Sequence, residues 1–209
     1  MKILFILLSC FISLAYAQSP VKPKPQDFFK NVFSDYQHYY SQDNLLKLAV
    51  GVAVAGVFAN THLDQTVQNH YQDTIRSQGT DDFSKAFKPF GSKLFVASYV
   101  LGVGIDMITP NSAVGEVLGT WSKRSIRALL VGAPPLALLQ ITLGAGRPTA
   151  QPANSHWQPF KHSEGASGHS FLGAVPFLTA ASMTENPFAK TALIAVSTFT
   201  GLSRINDNQ

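Results

Sequence analysis

A series of apolar segments, each as long as a helix, constrains the fold of this chain more than any other feature. Glycine and alanine recur within the segments, which lets neighbouring helices approach closely, and β-strand patterns are scarce. The sequence therefore predicts an all-α fold, a helical bundle of about five to six core helices whose last helix we expect to be missing. The segments are residues 45–59, 93–108, 112–143, 169–183 and 187–202.

Polar caps mark where two of these helices should begin. Asn186 followed by Pro187 predicts a helix start, because proline is favoured at the first helical position, where its missing N–H has no partner to lose. Asp43 and Asn44 are good N-cap residues for the segment 45–59. The order of caps and apolar segments thus predicts helices that follow one another through short connections.

The longest segment, 112–143, contains Pro134 and Pro135. Because proline lacks a backbone donor, we expect the segment to break or kink there. Most segments hold about 13–17 apolar residues, fewer than the roughly 20 that span a bilayer, and charged residues such as Lys47 and Asp106 interrupt them. This pattern slightly favours a soluble or peripheral bundle over a membrane bundle of short helices.

The N-terminus is typical of a secretory signal peptide. Lys2 supplies the positive start, residues 3–14 the apolar stretch, and the Ala-Tyr-Ala run that ends at Ala17 a cleavage site. An uncleaved membrane anchor is the alternative, which the short apolar run disfavours. We expect an exported protein in the periplasm, or in the envelope membrane facing it, built from a signal peptide (1–17), a proline-rich tether (18–27) and a helical domain (28–209).

Charge limits the partners of the chain. Charged residues make up 13% of the sequence, against about 25% in an average soluble domain, so the surface is either small or in contact with a membrane. The net charge of +4 is scattered and includes no block of basic residues. We therefore expect no nucleic-acid partner.

Two less apolar stretches flank the first core segment. The aromatic stretch 28–40 is near helical spacing and favours an amphipathic helix that covers the core over a helix that lies on lipid, because Lys30 is its only basic residue. The stretch 61–92 matches no recognised metal-ligand spacing. We expect it to be a solvated surface connection without a metal site, although it contains His62, Asp64, His70 and Asp73.

The residues that suggest chemistry lie beside helix ends. Ser167-Gly168-His169 begins an apolar helix, whose unpaired N–H groups and positive dipole end attract anions. His169 can exchange a proton near neutral pH, although simple N-capping by Ser167 is the plainer interpretation. Arg147 and Arg204 carry guanidinium groups that match phosphate oxygens. The combination favours a phosphate-binding site.

These motifs resemble those of the type 2 phosphatidic acid phosphatase and vanadium haloperoxidase superfamily, which includes bacterial acid phosphatases and lipid phosphate phosphatases. The family pattern is a lysine seven residues before Arg-Pro, then Ser-Gly-His, then Ser-Arg followed five residues later by histidine and then aspartate. The resemblance covers roughly residues 140–209. The matching positions are Arg147-Pro148, Ser167-Gly168-His169 and Ser203-Arg204.

The chain departs from the family pattern in three places. Gln140 stands at the lysine position and brings no charge, and Ala166 replaces the usual proline. After Arg204 the sequence continues only to Gln209, where the family's histidine should come next. We therefore expect the sequence to be a C-terminally shortened version of a longer phosphatase-like protein.

The resemblance implies phosphomonoester hydrolysis through a phosphohistidine intermediate. The histidine that follows Gln209 would attack phosphorus, and the anion would be held by Arg147, Ser167, Gly168 and Arg204. His169 would be the catalytic acid that protonates the leaving oxygen and then activates water. No metal and no cofactor are implied for this hydrolysis.

Two other functions stay open. One is a non-catalytic module that binds phosphate or phospholipid without turnover. The weaker one is vanadate-dependent peroxidase chemistry, which the uncharged Gln140 argues against. The expected partner is a phosphorylated substrate, with a lipid phosphate weakly favoured because of the apolar helices, and His156 and His162 are expected to shape the mouth of its pocket.

Overall fold

Helices form at the apolar segments that the sequence marks, so the predicted all-α fold is confirmed in this computed structural model, which describes residues 28–61, 63–147 and 156–207. The predicted signal peptide and tether lie outside the described residues. The α-helices are α1 (Phe28–Tyr39), α2 (Gln42–Asn60), α3 (Leu63–His70), α4 (Gln78–Phe87), α5 (Lys93–Ile108), α6 (Ala113–Leu143), α7 (Gly168–Ala181), α8 (Pro187–Ser197) and α9 (Phe199–Asn206).

The centre of the molecule is the packing of α5 and α7 against α6. The rings of Tyr99 on α5 and Trp121 on α6 meet edge to face, with their centroids 5.0 Å apart, and Val175 of α7 belongs to the same buried cluster. The indole N–H of Trp121 donates a hydrogen bond of 3.0 Å to the carbonyl of Pro176. Burial of large aromatic side chains with a satisfied polar atom fixes these three helices together.

A second buried cluster joins α7 and α9 to α4. Phe87, Phe90 and Phe177 are its buried members, and the ring of Phe199 at the start of α9 lies 5.0 Å from that of Phe87. This aromatic packing places the end of α4 beside the first turn of α9. It therefore sets the relative positions of the segments that carry the candidate site.

Of the break or kink predicted at the proline pair, the break is not observed, because α6 continues through Pro134 and Pro135. Proline at position 134 leaves the carbonyl of Leu130, four residues earlier, without its usual helical donor. The hydroxyl of Tyr36 on α1 donates a hydrogen bond of 2.9 Å to that carbonyl. The freed acceptor is thereby satisfied from outside the helix, and α1 is fastened to α6 at this point.

The stretch 61–92 is more than the surface connection that was predicted. It forms α3, a π-helical turn at Tyr71–Ile75, α4 and a 3₁₀ turn at Lys88–Gly91. A reciprocal capping box between Ser77 and Thr80 starts α4. The sequence predicts that its polar residues are solvated, but several of them face the last helix, as described below.

Helix α2 is apolar on all sides, and none of its residues is buried. It begins at Gln42 after Ser41, and neither Asp43 nor Asn44 caps it, so the predicted start is wrong by three residues. By length and composition, α2 and α6 could each cross a membrane, as could the pair Gln78–Gly91 and Lys93–Ile108 if its bend of 56° lies within one span. The longer α2 removes the main argument from segment length against a membrane bundle.

Helix α1 confirms the helix predicted for the aromatic stretch, but none of its residues is buried. Phe29 and Phe33 are exposed. Asp35 forms a bidentate ion pair with Arg127 of α6, in which Nε and Nη2 of the arginine lie 2.6 and 2.9 Å from the two carboxylate oxygens. The helix is thus attached to α6 through polar contacts rather than through a buried apolar face.

Candidate functional site

The first turn of α7 is the structural centre of the candidate site. Ser167 is its N-cap, and its hydroxyl oxygen accepts hydrogen bonds from the N–H and the hydroxyl of Ser170, at 3.1 and 2.9 Å. The predicted capping role of Ser167 is confirmed. A Cβ at Gly168 would lie 3.2 Å from Nε2 of Gln140, so the absence of a side chain there lets the tip of α7 lie against the end of α6.

Gln140 is used to position this helix tip. Its amide nitrogen donates a hydrogen bond of 2.9 Å to the carbonyl of Ala166, one residue before the N-cap. The side chain therefore links α6 to the start of α7. It brings a donor but no charge to the site, as expected from the sequence.

A left-handed turn brings Arg147 to the same place. Gly144 ends α6 with φ of 58°, and a Cβ there would overlap the carbonyl of Gln158. Both the backbone conformation and the lack of space therefore require glycine at this position. Behind this turn, the N–H of Glu164 donates to the carbonyl of Ala145 at 3.1 Å. The guanidinium of Arg147 lies 3.4 Å from the Glu164 carboxylate in a half-exposed ion pair.

Arg204 approaches from α9. Helix α9 packs closely on α7 because a Cβ at Gly173 would overlap the side chain of Thr200, while Ser170 Oγ lies 3.6 Å from the Cβ position of Gly201. Burial lowers the pKa of Arg204, and the positive charge of Arg147 lowers it further. The charges of the two predicted arginines therefore repel each other, and the carboxylates of Asp207 and Glu164 oppose that effect.

His169 is half-buried at the second position of α7. Its Nε2 lies 2.8 Å from the carbonyl of Lys88, and because a carbonyl only accepts, Nε2 carries the proton and Nδ1 has the free lone pair in the neutral ring. Burial lowers the pKa of His169 from its ordinary 6.5, the charges of Arg204 and Lys88 lower it further, and the Lys88 carbonyl and Asp207 oppose them. His169 is thus neutral at neutral pH in this arrangement.

Lys88 and Asp207 are site residues that the sequence interpretation missed. The Lys88 ammonium lies 2.5 Å from Oδ2 of Asp207, and the hydroxyl of Ser84 donates to Oδ1 of Asp207 at 2.9 Å. The pKa of Asp207 is lowered by these hydrogen bonds and by the charge of Lys88, against the opposing effect of burial. No local sequence signal marks Lys88, because the packing of its 3₁₀ turn on α7 brings it to His169.

The last turn of α9 is held by polar contacts from the same stretch. Asn206 is 1% exposed; its side-chain oxygen Oδ1 accepts from the hydroxyl of Tyr71 at 3.1 Å, and its side-chain nitrogen Nδ2 donates to Oδ1 of Asp81 at 2.8 Å. Gln68 and Gln72 donate to the carbonyl of Ile205, at 3.0 and 2.9 Å. These contacts, called here the polar clamp, fix the helix that carries Arg204.

A cavity of about 640 Å³ lies elsewhere, between α1, α6 and α7. Its lining is mostly apolar, with Arg124 and Arg127 at its edge, and it includes none of the five residues predicted for the phosphate site. Within residues 28–61, 63–147 and 156–207, no group of three potential ligand side chains is arranged to hold a metal ion.

Of the five predicted residues, Ser167, Gly168 and His169 begin α7, the charge of Arg204 acts on His169, and the charge of Arg147 acts on Arg204. Two guanidinium groups, a helix N-terminus and a neutral imidazole can together bind an oxyanion and exchange a proton with it. No protein-family model matches the chain, and the curated proteins and the solved structures give no significant match either.

Proposed function

We propose that the chain carries the phosphate-binding site of a phosphatase that hydrolyses phosphomonoesters. The observation that supports this most is Arg204, which is partly buried, is repelled by the charge of Arg147 and acts on His169 in the first turn of α7. A bound anion would offset this repulsion further, in addition to the carboxylates of Asp207 and Glu164. The motif order that resembles the phosphatase superfamily supports the same conclusion.

In the proposed complex, the phosphate oxygens accept hydrogen bonds from Arg147, from Arg204 and from the backbone N–H of Gly168. Charge-assisted bonds from guanidinium groups are shorter and stronger than neutral ones. The same donors stabilise the additional negative charge of the transition state. Ser167 remains the N-cap, so its contribution is to hold the first turn of α7 in place.

His169 is the proposed acid and base. A bound dianion raises the pKa of His169, since it offsets the positive charges of Arg204 and Lys88 that now lower it. The protonated ring then gives its proton to the leaving alkoxide oxygen, and the neutral ring later takes a proton from the attacking water. One residue thereby serves both half-reactions.

Hydrolysis requires a nucleophile as well as the anion site. The motif places the attacking histidine directly after Gln209, so turnover is proposed for a chain that continues with that residue. The second candidate is a module that binds phosphate without hydrolysing it, supported by the cations and the helix start at the tip of α7, which need no nucleophile to hold an anion. Both candidates share the anion site.

For the substrate we propose a lipid phosphate reached at the membrane surface of the cell envelope. Helix α2 supports this, because it is 19 residues long, apolar and without a buried residue. At about 1.5 Å per residue such a helix is close to the thickness of the hydrocarbon core of a bilayer. A membrane-bound phosphatase would meet its substrate by lateral diffusion.

The test is phosphate and orthovanadate binding by the chain, measured calorimetrically, with hydrolysis of p-nitrophenyl phosphate measured in parallel. Arg147→Ala and Arg204→Ala should each weaken binding at least tenfold, because hydrogen bonds to charged groups contribute about 1.5–3 kcal/mol. Arg124→Ala, on α6 and away from the site, is the matched control and should bind like the parent chain.

The outcomes separate the candidates. Binding without hydrolysis supports the module for these 209 residues, and hydrolysis that appears when the chain is extended by an in-frame histidine supports the phosphatase. Absence of phosphate and vanadate binding by the parent chain would overturn both.

A further inference from the structure

We propose that the Lys88 ammonium is a third cation of the anion site and binds a phosphate oxygen directly. This inference rests on the proposed function, and it concerns a residue from a stretch of sequence that carries no motif. Lys88 supplies, from another part of the fold, the positive charge that the uncharged Gln140 does not bring to the site.

The side chain of Gln140 already makes structural contacts. Its amide nitrogen donates to the carbonyl of Ala166 and lies against the backbone of Gly168. Turning this side chain toward an anion would break the link between α6 and the tip of α7. A cation for that side of the phosphate therefore has to come from a different element.

The backbone of the 3₁₀ turn places Lys88 beside His169. The Lys88 carbonyl pairs with Nε2 of His169 at 2.8 Å, and a Cβ at Gly91 would overlap the imidazole ring. The turn thus touches His169 with two of its residues. The side chain that carries the ammonium group therefore extends from a backbone segment that contacts His169.

The Lys88 side chain is positioned at the rim of the site and can reorient. It is 46% exposed and ends on the Asp207 carboxylate at 2.5 Å, three residues beyond Arg204 in the chain. Asp207 is held independently by the hydroxyl of Ser84. Asp207 can therefore keep its place when the ammonium moves to an incoming anion.

Two carboxylates of the chain pair with two of the three cations. Glu164 pairs with Arg147 and Asp207 pairs with Lys88. Both pairs are partly exposed, so each is weak and can be exchanged for a phosphate dianion at little cost. The arrangement favours a doubly charged ligand, which can engage Arg147, Arg204 and Lys88 at once.

The first experiment compares Lys88→Met with Lys85→Met in phosphate binding. Methionine keeps the length and the apolar stem of lysine and leaves the backbone carbonyl that holds His169 unchanged. Lys88→Met should weaken phosphate binding about tenfold, the loss expected for one charge-assisted hydrogen bond, and Lys88→Arg should bind within about threefold of the parent. Lys85, one turn earlier in an exposed pair with Asp82, should be replaceable without effect.

A double variant separates direct binding from simple neutralisation of Asp207. If Lys88 only cancels the charge of Asp207, then Lys88→Met combined with Asp207→Asn restores the parent affinity, and the proposal is wrong. If Lys88 binds the phosphate, the double variant stays about tenfold weaker. Asp207→Asn alone should then bind phosphate more tightly than the parent, because it frees the ammonium.

A measurement on the parent chain does not depend on how any variant folds. Acetic anhydride labelling followed by mass spectrometry should show Lys88 protected by saturating phosphate and Lys85 unaffected. Equal labelling of Lys88 with and without bound phosphate overturns the inference. The proposed function fails separately, when the parent chain shows no phosphate binding in the calorimeter.

Discussion

Helices α2 and α9 are opposite in composition and in environment. Helix α2 is one of the most apolar segments of the chain, and yet none of its residues is buried. Helix α9 is short and rich in polar residues, and Thr200, Ser203 and Asn206 on it are at most 1% exposed. In most soluble domains the apolar helix would lie inside and the polar one outside.

The difference teaches which forces hold each helix. Helix α9 is fixed by hydrogen bonds of the polar clamp and by the close approach of Thr200 to Gly173. Within the described residues, α2 packs against its neighbours along the chain and against Trp157 of the loop before α7. A helix held by directed polar contacts along its length can position Arg204, while a helix whose polar contacts lie near its ends, such as that of Asn60 with the N–H of Trp157, is suited to surroundings that are themselves apolar.

The largest expected effect concerns α2 in lipid. Val50, near the middle of the helix, is 57% exposed, and Val50→Asp should reduce membrane insertion by about 3 kcal/mol, or roughly 100-fold in partition. Co-flotation with vesicles of phosphatidylcholine and phosphatidylglycerol measures this, with Val50→Leu as the control. Equal flotation of both variants would show that α2 does not enter the bilayer.

The second comparison makes the same substitution in α2 and at Gly173, the α7 glycine against which α9 packs. Gly173→Ala places a methyl group on Thr200 and should destabilise the fold by about 2 kcal/mol, since overpacking is not relieved when the neighbour is a Cβ. Gly51→Ala meets nothing within 4 Å and should stabilise α2 by up to about 1 kcal/mol. Denaturant unfolding measures both, and a loss of stability in Gly51→Ala would indicate a contact of α2 that the structure does not show.

The sequence predicts the helices well where apolar runs and caps coincide. The helix 93–108 has its predicted ends, and Asn186 caps α8 through hydrogen bonds to the N–H groups of Phe188 and Ala189. It is also sufficient to nominate the residues at the tip of α7, because a capped helix start and two arginines carry local signals. These features depend on interactions within a few residues of sequence.

What depends on distant contacts could not be predicted. The polar stretch 61–92 has the composition of a surface connection, and only tertiary packing places the Lys88 carbonyl on His169 of α7 and buries Gln68 beside α9. The continuity of α6 through Pro134 likewise depends on a hydroxyl from Tyr36, far away in sequence. Composition shows that a residue can be solvated, but not that a neighbouring helix has taken the place of the solvent.

The third prediction tests the polar clamp. Asn206→Ala leaves the hydroxyl of Tyr71 without its acceptor and Asp81 without one donor, which should cost about 1–2 kcal/mol of unfolding free energy. Asn44→Ala, the same change on exposed α2, should stay within about 0.5 kcal/mol of the parent. Phosphate binding of Asn206→Ala should weaken as well, because Arg204 loses its fixed position, and unchanged stability together with unchanged binding would contradict the clamp.

The smallest expected effect is electrostatic. Arg204 and Lys88 both lower the pKa of His169, so Arg204→Met should raise that pKa toward the ordinary value, whereas Lys47→Met on α2 should leave it unchanged. Because the folded-state pKa is the lower one, the contribution of His169 to stability is present above about pH 6.5 and is lost as the pH falls toward the folded-state value. NMR titration of the imidazole in both variants measures the shift, and an identical His169 pKa in the parent and in Arg204→Met would show that the guanidinium on α9 does not act on the tip of α7.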